Sequence, residues 1–271
     1  CLMSVAPRVL SPAASPGLAR PLATRLPPWA WLLLGAVLMA LSGMRFGVAA
    51  LAWVAPVPWL IYLRQTSGWR SRLGFAVVVQ LALLLQIAKI VTAPIPFAAA
   101  PMFSVPMALG ATVLFIAFEA WRRRVGDGWG LVLFPAVAVL SEWVSASGSE
   151  LGSWGASAYT QIDNLPLLQT ASIFGLAGIG WLMAQAAAVI AVGLAAPRQR
   201  GWRPVGLVTA VLFIVAQLWG AVRLSTDLEG PEVLVAGVVS DIGMDGGLPS
   251  PDSVATGTDA LFARSEAAAS A

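Results

Sequence analysis

Histidine is absent from the 271 residues, cysteine occurs once (Cys1) and lysine once (Lys89). A structural zinc site takes about four Cys, His or carboxylate ligands, so the usual zinc chemistries are excluded. Ser-His-Asp and Cys-His nucleophile systems need an imidazole base and fall with them. One cysteine forms no intramolecular disulfide, so cysteine usage leaves the redox compartment open. Charge is scarce as well. Asp, Glu, Lys and Arg make up 11% of the chain, against about 25% in soluble globular proteins.

Apolar residues fill the space: 58% of the chain is hydrophobic and the mean hydropathy is +0.81. This is the composition of a membrane protein. A spanning helix needs about 20 predominantly apolar residues, with a lower limit of about 17. Seven stretches meet or approach that: 28–44, 47–63, 73–93, 101–118, 129–147, 175–196 and 205–222. The first two are short, with a tight Arg45-Phe46 turn between them.

The arginines support the count. Arg8, Arg20 and Arg25 precede the first span. Arg64, Arg70 and Arg72 fall in the second connection, Arg122 to Arg124 in the fourth, and Arg198, Arg200 and Arg203 in the sixth. Cytoplasmic loops carry the Lys/Arg excess, so this alternation predicts seven spans with a cytoplasmic N-terminus. Basic residues divided among four loops make no continuous nucleic-acid groove; the net charge of +3 reflects topology.

Residues 1–27 are rich in Pro, Ala and Arg without helical period and read as a disordered cytosolic leader. The tail after Val222 has another character. It holds eight of the thirteen acids. Residues 232–240 (EVLVAGVVS) suit a strand buried on both faces. A glycine-rich turn follows, and Ser250-Pro251-Asp252 has the form of a helix start, with Ser as N-cap and Pro at the first helical position. Strand, loop and helix open an α/β domain, and about 40 residues are too few to bury a core alone. The chain begins at Cys1 and stops within an apparent helix at Ala271, so both ends read as cuts in a longer coding sequence.

A few polar residues stand out at membrane depth. Lys89 lies near the end of the third span; the simpler reading is that its ammonium snorkels to the outer interface. Glu142, in Ser141-Glu142-Trp143, lies inside the fifth span, where a carboxyl must be neutral, paired or beside a wet cavity. Lys89 is a candidate partner, and a functional role and a structural helix–helix hydrogen bond both stay open. Residues 147–174 form the longest outer loop. It has no basic residue and combines Trp154, Tyr159, Gln161, Asp163, Asn164 and Gln169 with apolar neighbours. Such a mixture suits a lipid or peptide site, or an aromatic belt. The Gly126–Gly130 run has no strand before it, so a dinucleotide fold is unsupported.

Several of these residues carry a resemblance. Glu142-Trp143, then Trp154-Gly155, then Ala158-Tyr159-Thr160-Gln161 resemble the Glu-hydrophobic pair and the "PW…GYSQ" stretch of the apolipoprotein N-acyltransferases. Leu165-Pro166-Leu167-Leu168-Gln169 and Gly175-Leu176-Ala177-Gly178 resemble the family's following "PL-Q…G-x-x-G" segment. Residues 235–242 (VAGVVSDI) are similar to its first nitrilase strand. There are departures: Ser240 stands where the family usually has glutamine, and no arginine follows the Glu142 pair.

The resemblance implies a seven-helix, all-α membrane domain (28–222) followed by the truncated start of an α/β nitrilase-like (α-β-β-α) domain (223–271). It implies an enzyme of the bacterial inner membrane whose C-terminal segment is extracytoplasmic. That enzyme moves a phospholipid acyl chain to the N-terminal cysteine of a diacylglyceryl apolipoprotein, as a monomer, with no cofactor or metal. The family's Glu-Lys-Cys triad maps onto nothing here, so the chain as given is expected to be inert. Glu142, Trp154, Tyr159 and Gln161 become candidate substrate-binding residues. The alternatives are a polytopic transporter, a lipid-binding protein, or a degenerate pseudo-acyltransferase.

Overall fold

A computed structural model of the chain describes residues 21–43, 45–91, 96–226, 237 and 250–269. Among them every regular element is a helix. The helices are α1 (Pro28–Ser42), α2 (Ala49–Ala52), α3 (Pro56–Gln65), α4 (Trp69–Ala88), α5 (Ala100–Val125), α6 (Asp127–Gly148), α7 (Leu165–Gln169), α8 (Ala171–Ala195), α9 (Trp202–Ser225) and α10 (Pro251–Ala269). The leader residues 1–20 and the predicted strand at 232–240, apart from Gly237, lie outside the described residues. The helix expected after Ser250 is present as α10, and the Ser250 hydroxyl caps it by accepting the Ser253 N–H at 3.2 Å.

Five described helices are long and apolar enough to cross a membrane: α4, α5 with its leading turn from Phe97, α6, α8 and α9. The sequence predicts seven, and the first two differ. α1 is a shorter apolar helix of 15 residues. The second span is broken into α2 and α3. Pro56 and Pro58 have no N–H, so the helical ladder loses bonds there. Tighter turns replace them: the Leu51 carbonyl accepts from both Val54 and Ala55, and the Val54 carbonyl from Val57. The arginine connection is also corrected. Arg122 to Arg124 sit in the last turn of α5 and not in a loop, and Gly126 alone separates α5 from α6. Gly126 has φ 89°, a conformation that costs glycine little and other residues more.

The bundle is built around α3. Residues Val57 to Leu63 are all buried, enclosed by α1, α5 and α8. Trp59 is fully buried and packs edge-on against Phe75 (5.5 Å) and Phe115 (5.6 Å). Its indole N–H donates to the Leu32 carbonyl at 3.1 Å. The approach needs Gly35 on α1, because a Cβ there would overlap the Trp59 ring. Phe134 continues the cluster from α6. Outward faces stay apolar. On α4, Leu73, Val77, Leu81 and Leu85 are all exposed at four-residue spacing, as expected of helices that meet lipid.

The two ends of the bundle differ. At one, the ends of α3 and α5 meet the start of α6 through ion pairs. Arg64 forms a two-pronged pair with Asp127 (2.7 and 2.5 Å), Arg122 reaches both Asp127 (2.5 Å) and Glu119 (2.6 and 2.8 Å), and Arg123 reaches Glu119 (2.7 Å). Arg123 also donates to the Leu63 and Thr66 carbonyls, which caps α3. The opposite end is held by single hydrogen bonds, several to charged side chains, with no ion pair among the described residues, and carries the residues singled out from the sequence.

Candidate functional site

The segment from Ser149 to Thr170 connects α6 to α8. It folds as turns, a 3₁₀ turn at Ser157–Gln161, and the short helix α7. Asn164 starts α7 by accepting the Leu167 N–H on its side-chain oxygen at 3.3 Å, the role its short polar side chain suits. Gly152 and Gly155, with φ of 57° and 85°, make the sharp reversals before the 3₁₀ turn.

Two side chains fix this segment to the bundle. Glu142, half-buried on α6, accepts the Ser157 N–H at 3.0 Å. Its other oxygen faces Gly180 on α8, where a Cβ would come within 3.1 Å of both that oxygen and the Ser157 hydroxyl. The bare backbone of Gly180 leaves room for the carboxylate. Gln161 is 2% exposed. Its amide oxygen accepts from the Trp53 indole at 3.0 Å, and its nitrogen donates to the Ala49 carbonyl and the Thr160 hydroxyl, both at 2.9 Å. Gln161 therefore binds the 3₁₀ turn to α2 and to the break after it.

Trp154 and Tyr159 face outward. Trp154 is 41% exposed and meets Phe103 of α5 edge-on at 5.9 Å. Tyr159 is 47% exposed, its hydroxyl sharing a 2.8 Å hydrogen bond with Ser153. Leu151, Ile162 and Leu165 are exposed on the same segment. The result is an aromatic and apolar surface with hydroxyl and amide edges, held rigidly from below.

The structure places the four candidate residues on one segment and its underlying helix, and divides them by environment. Trp154 and Tyr159 are available to a ligand, whereas the polar atoms of Gln161 are spent within the fold. α4 ends at Ala88 and Lys89 is its C-cap. Its ammonium donates to the Ala40 and Gly43 carbonyls at 2.7 and 2.5 Å, closing the end of α1, and it forms no ion pair with Glu142. Beside it Gln86 donates to the Met39 carbonyl. On the other flank, Arg223 of α9 donates to the Ser172 hydroxyl at 2.6 Å. Trp53, Ser157 and Gly180 were missed in the sequence reading. The available signal was Trp53 just ahead of Pro56 and Pro58 in the second apolar segment.

The profile described as "Apolipoprotein N-acyltransferase N-terminal domain" matches residues 35–189, from α1 into α8. The apolipoprotein N-acyltransferase of Geobacter metallireducens is 31% identical over 222 residues, covering 77% of this chain and 42% of the relative. The chain thus spans less than half the length of that relative. No solved structure matches.

Proposed function

The chain belongs to the apolipoprotein N-acyltransferase family, and from that premise we propose that its helical bundle is the membrane platform of a lipoprotein N-acyltransferase. In this reading a phospholipid donates an acyl chain, and the α-amino group of a diacylglyceryl-cysteine lipoprotein accepts it. The Glu-Lys-Cys chemistry implied by the resemblance has no counterpart mapped onto these residues. Their share of the work is to bring lipid substrates to one place at the membrane surface.

The observation that carries the reading is the pinned segment Ser149–Thr170, which presents Trp154 and Tyr159 at the end of the bundle away from the arginine ion pairs. Both substrates are amphipathic, with long acyl chains and polar heads. Aromatic side chains with a polar edge suit the boundary between apolar and wet surroundings. Glu142 and Gln161 serve as positioning residues, because they touch the segment from behind.

Orientation follows from charge. The ends bearing Arg64, Arg70, Arg72 and Arg122 to Arg124 gather at one pole, and the excess of basic residues marks the cytoplasmic side. The Trp154 and Tyr159 surface then faces outside the cytoplasm, where an exported catalytic domain would meet it. The family relation supports the inner membrane of a bacterium as the location.

The test is N-acylation of a diacylglyceryl-cysteine peptide, followed by mass spectrometry, using membranes that express the gene encoding this chain. Trp154→Ala and Tyr159→Ala are expected to lower transfer at least tenfold, about 1.4 kcal/mol of substrate or transition-state binding, while the protein stays folded. Undiminished transfer in both variants would remove this surface from the reaction.

A further inference from the structure

The arginine end holds a second feature, separate from the Trp154 and Tyr159 surface. Where α3 turns into α4, a shallow cleft opens between Thr66, Ser67, Ser71, Arg72, Glu119 and Arg123. Most groups around it already have partners. The Glu119 carboxylate receives N–H donors from Arg122 and Arg123, so it adds no unbalanced negative charge to the cleft. The Thr66 hydroxyl is engaged with the Tyr62 carbonyl. What is left over is a set of donors. Arg72 gives its backbone N–H to the Gly68 carbonyl, but its guanidinium makes no hydrogen bond or ion pair among the described residues, and neither do the hydroxyls of Ser67 and Ser71. Arg123 commits Nε and Nη2 to the fold and leaves Nη1 without a partner.

We propose that this cleft binds the phosphate of an anionic phospholipid, with Arg72 and Arg123 Nη1 as its cationic donors and the Ser67 and Ser71 hydroxyls beside them. Guanidinium is matched to phosphate oxygens by its planar array of N–H groups, and basic pockets between spanning helices at the positive end of a membrane protein take anionic headgroups.

The choice of a lipid over a soluble phosphate rests on α4. Its first residue, Trp69, is 69% exposed, with the Arg70 guanidinium 5.5 Å from the ring centre. Exposed Leu73, Val77, Leu81 and Leu85 continue along the helix from that point. Twelve residues from Leu73 to Leu85 advance about 18 Å, beyond the depth of one leaflet, roughly half of a 30 Å hydrocarbon core. An acyl chain can lie along this stripe while its headgroup sits in the cleft.

The experiment is retention of lipid by the intact protein in nanodiscs of mixed phosphatidylglycerol and phosphatidylcholine, read by native mass spectrometry. Arg72→Gln is expected to lower the preference for phosphatidylglycerol about fivefold, the effect of one basic residue near an anionic surface. Arg72→Lys should restore most of it. Arg124→Gln, which removes an exposed arginine at the same end outside the cleft, should leave it unchanged. Unfolding temperature in phosphatidylcholine alone should not move in Arg72→Gln, since Arg72 bonds nothing within the fold. The proposal is overturned if Arg72→Gln keeps the wild-type preference, or if Arg124→Gln lowers it equally, which would mean diffuse attraction. Displacement of the lipid by excess inorganic phosphate would assign the cleft to a soluble anion instead. None of these outcomes depends on acyl transfer, so the headgroup site and the platform reading stand or fall separately.

Discussion

The Trp53 indole donates to the Gln161 side-chain oxygen at 3.0 Å, joining residues 108 positions apart. Trp53 sits where the second apolar segment breaks; Gln161 ends the 3₁₀ turn that carries Tyr159. The contact makes the irregular part of the bundle and the candidate substrate surface one unit.

Removing either partner should loosen that unit. Trp53→Phe leaves the Gln161 oxygen buried and unpaired, and Gln161→Leu leaves the indole N–H and the Ala49 carbonyl without their bonds. Each is expected to cost about 1–3 kcal/mol. Thermal unfolding in detergent measures the loss, and limited proteolysis within residues 149–164 should appear in both variants. The double variant should cost less than the sum of the two. Strict additivity would show that the bond carries no coupling.

Glu142 offers a sharper comparison. Glu142→Gln keeps an oxygen for the Ser157 N–H and should fold nearly as the parent does. Glu142→Ala removes the acceptor and should release the segment. Gly180→Ala puts a methyl group 3.1 Å from the Glu142 oxygen and from the Ser157 hydroxyl, so both must shift. We expect acyl transfer to fall in the order Gln, then Gly180→Ala, then Glu142→Ala. An equal loss with Gln and Ala would point to the charge of Glu142 rather than its position.

At the opposite end, Asp127 serves two guanidiniums. Its side chain is 9% exposed and that of Arg64 is 21% exposed, so the pair is buried. Asp127→Ala leaves Arg64 without its partner and weakens Arg122, at a cost of about 3 kcal/mol. Arg64→Met removes one cation and fills its volume, and should cost less. Chemical unfolding of the two variants in the same detergent decides the order.

Gly220 on α9 lies against the backbone of α7, and a Cβ there would overlap the Pro166 carbonyl. Backbone cannot rotate away as a side chain can. Gly220→Ala should therefore push α9 from α7 at a cost of about 1–3 kcal/mol. Thermal unfolding of Gly220→Ala beside the parent in the same detergent measures the loss.

Much of the bundle was legible because hydropathy is a local property. The cores of α4, α5, α6, α8 and α9 follow from apolar runs, and α10 starts at its Ser-Pro-Asp signal. Differences fell where specific contacts, and not composition, decide the structure. Arg122 to Arg124 look like a loop by composition, yet Glu119 on the preceding turn and Asp127 just beyond hold them in helix. Lys89 reads as a lysine at the end of its span, but its partners, the Ala40 and Gly43 carbonyls at the end of α1, are set by the fold. The second segment reads as one span by hydropathy; its break at Pro56 and Pro58 seats Trp53 beneath the outer segment, a use that depends on Gln161. Nothing near Gly180 in sequence signals that a carboxylate 38 positions earlier needs its missing side chain.

Burial of α3 has a consequence for how the protein is made. Ten residues advance about 15 Å, half of a hydrocarbon core, and Val57 to Leu63 are all covered by protein. Two of the helices that cover them, α5 and α8, leave the ribosome 35 and more than 100 residues later. During synthesis α3 enters the membrane before its surroundings exist, holding to α1 and α2. The insertion machinery has to shelter this hairpin until the rest of the chain arrives, and a pause or arrest before α8 would leave it without its cover.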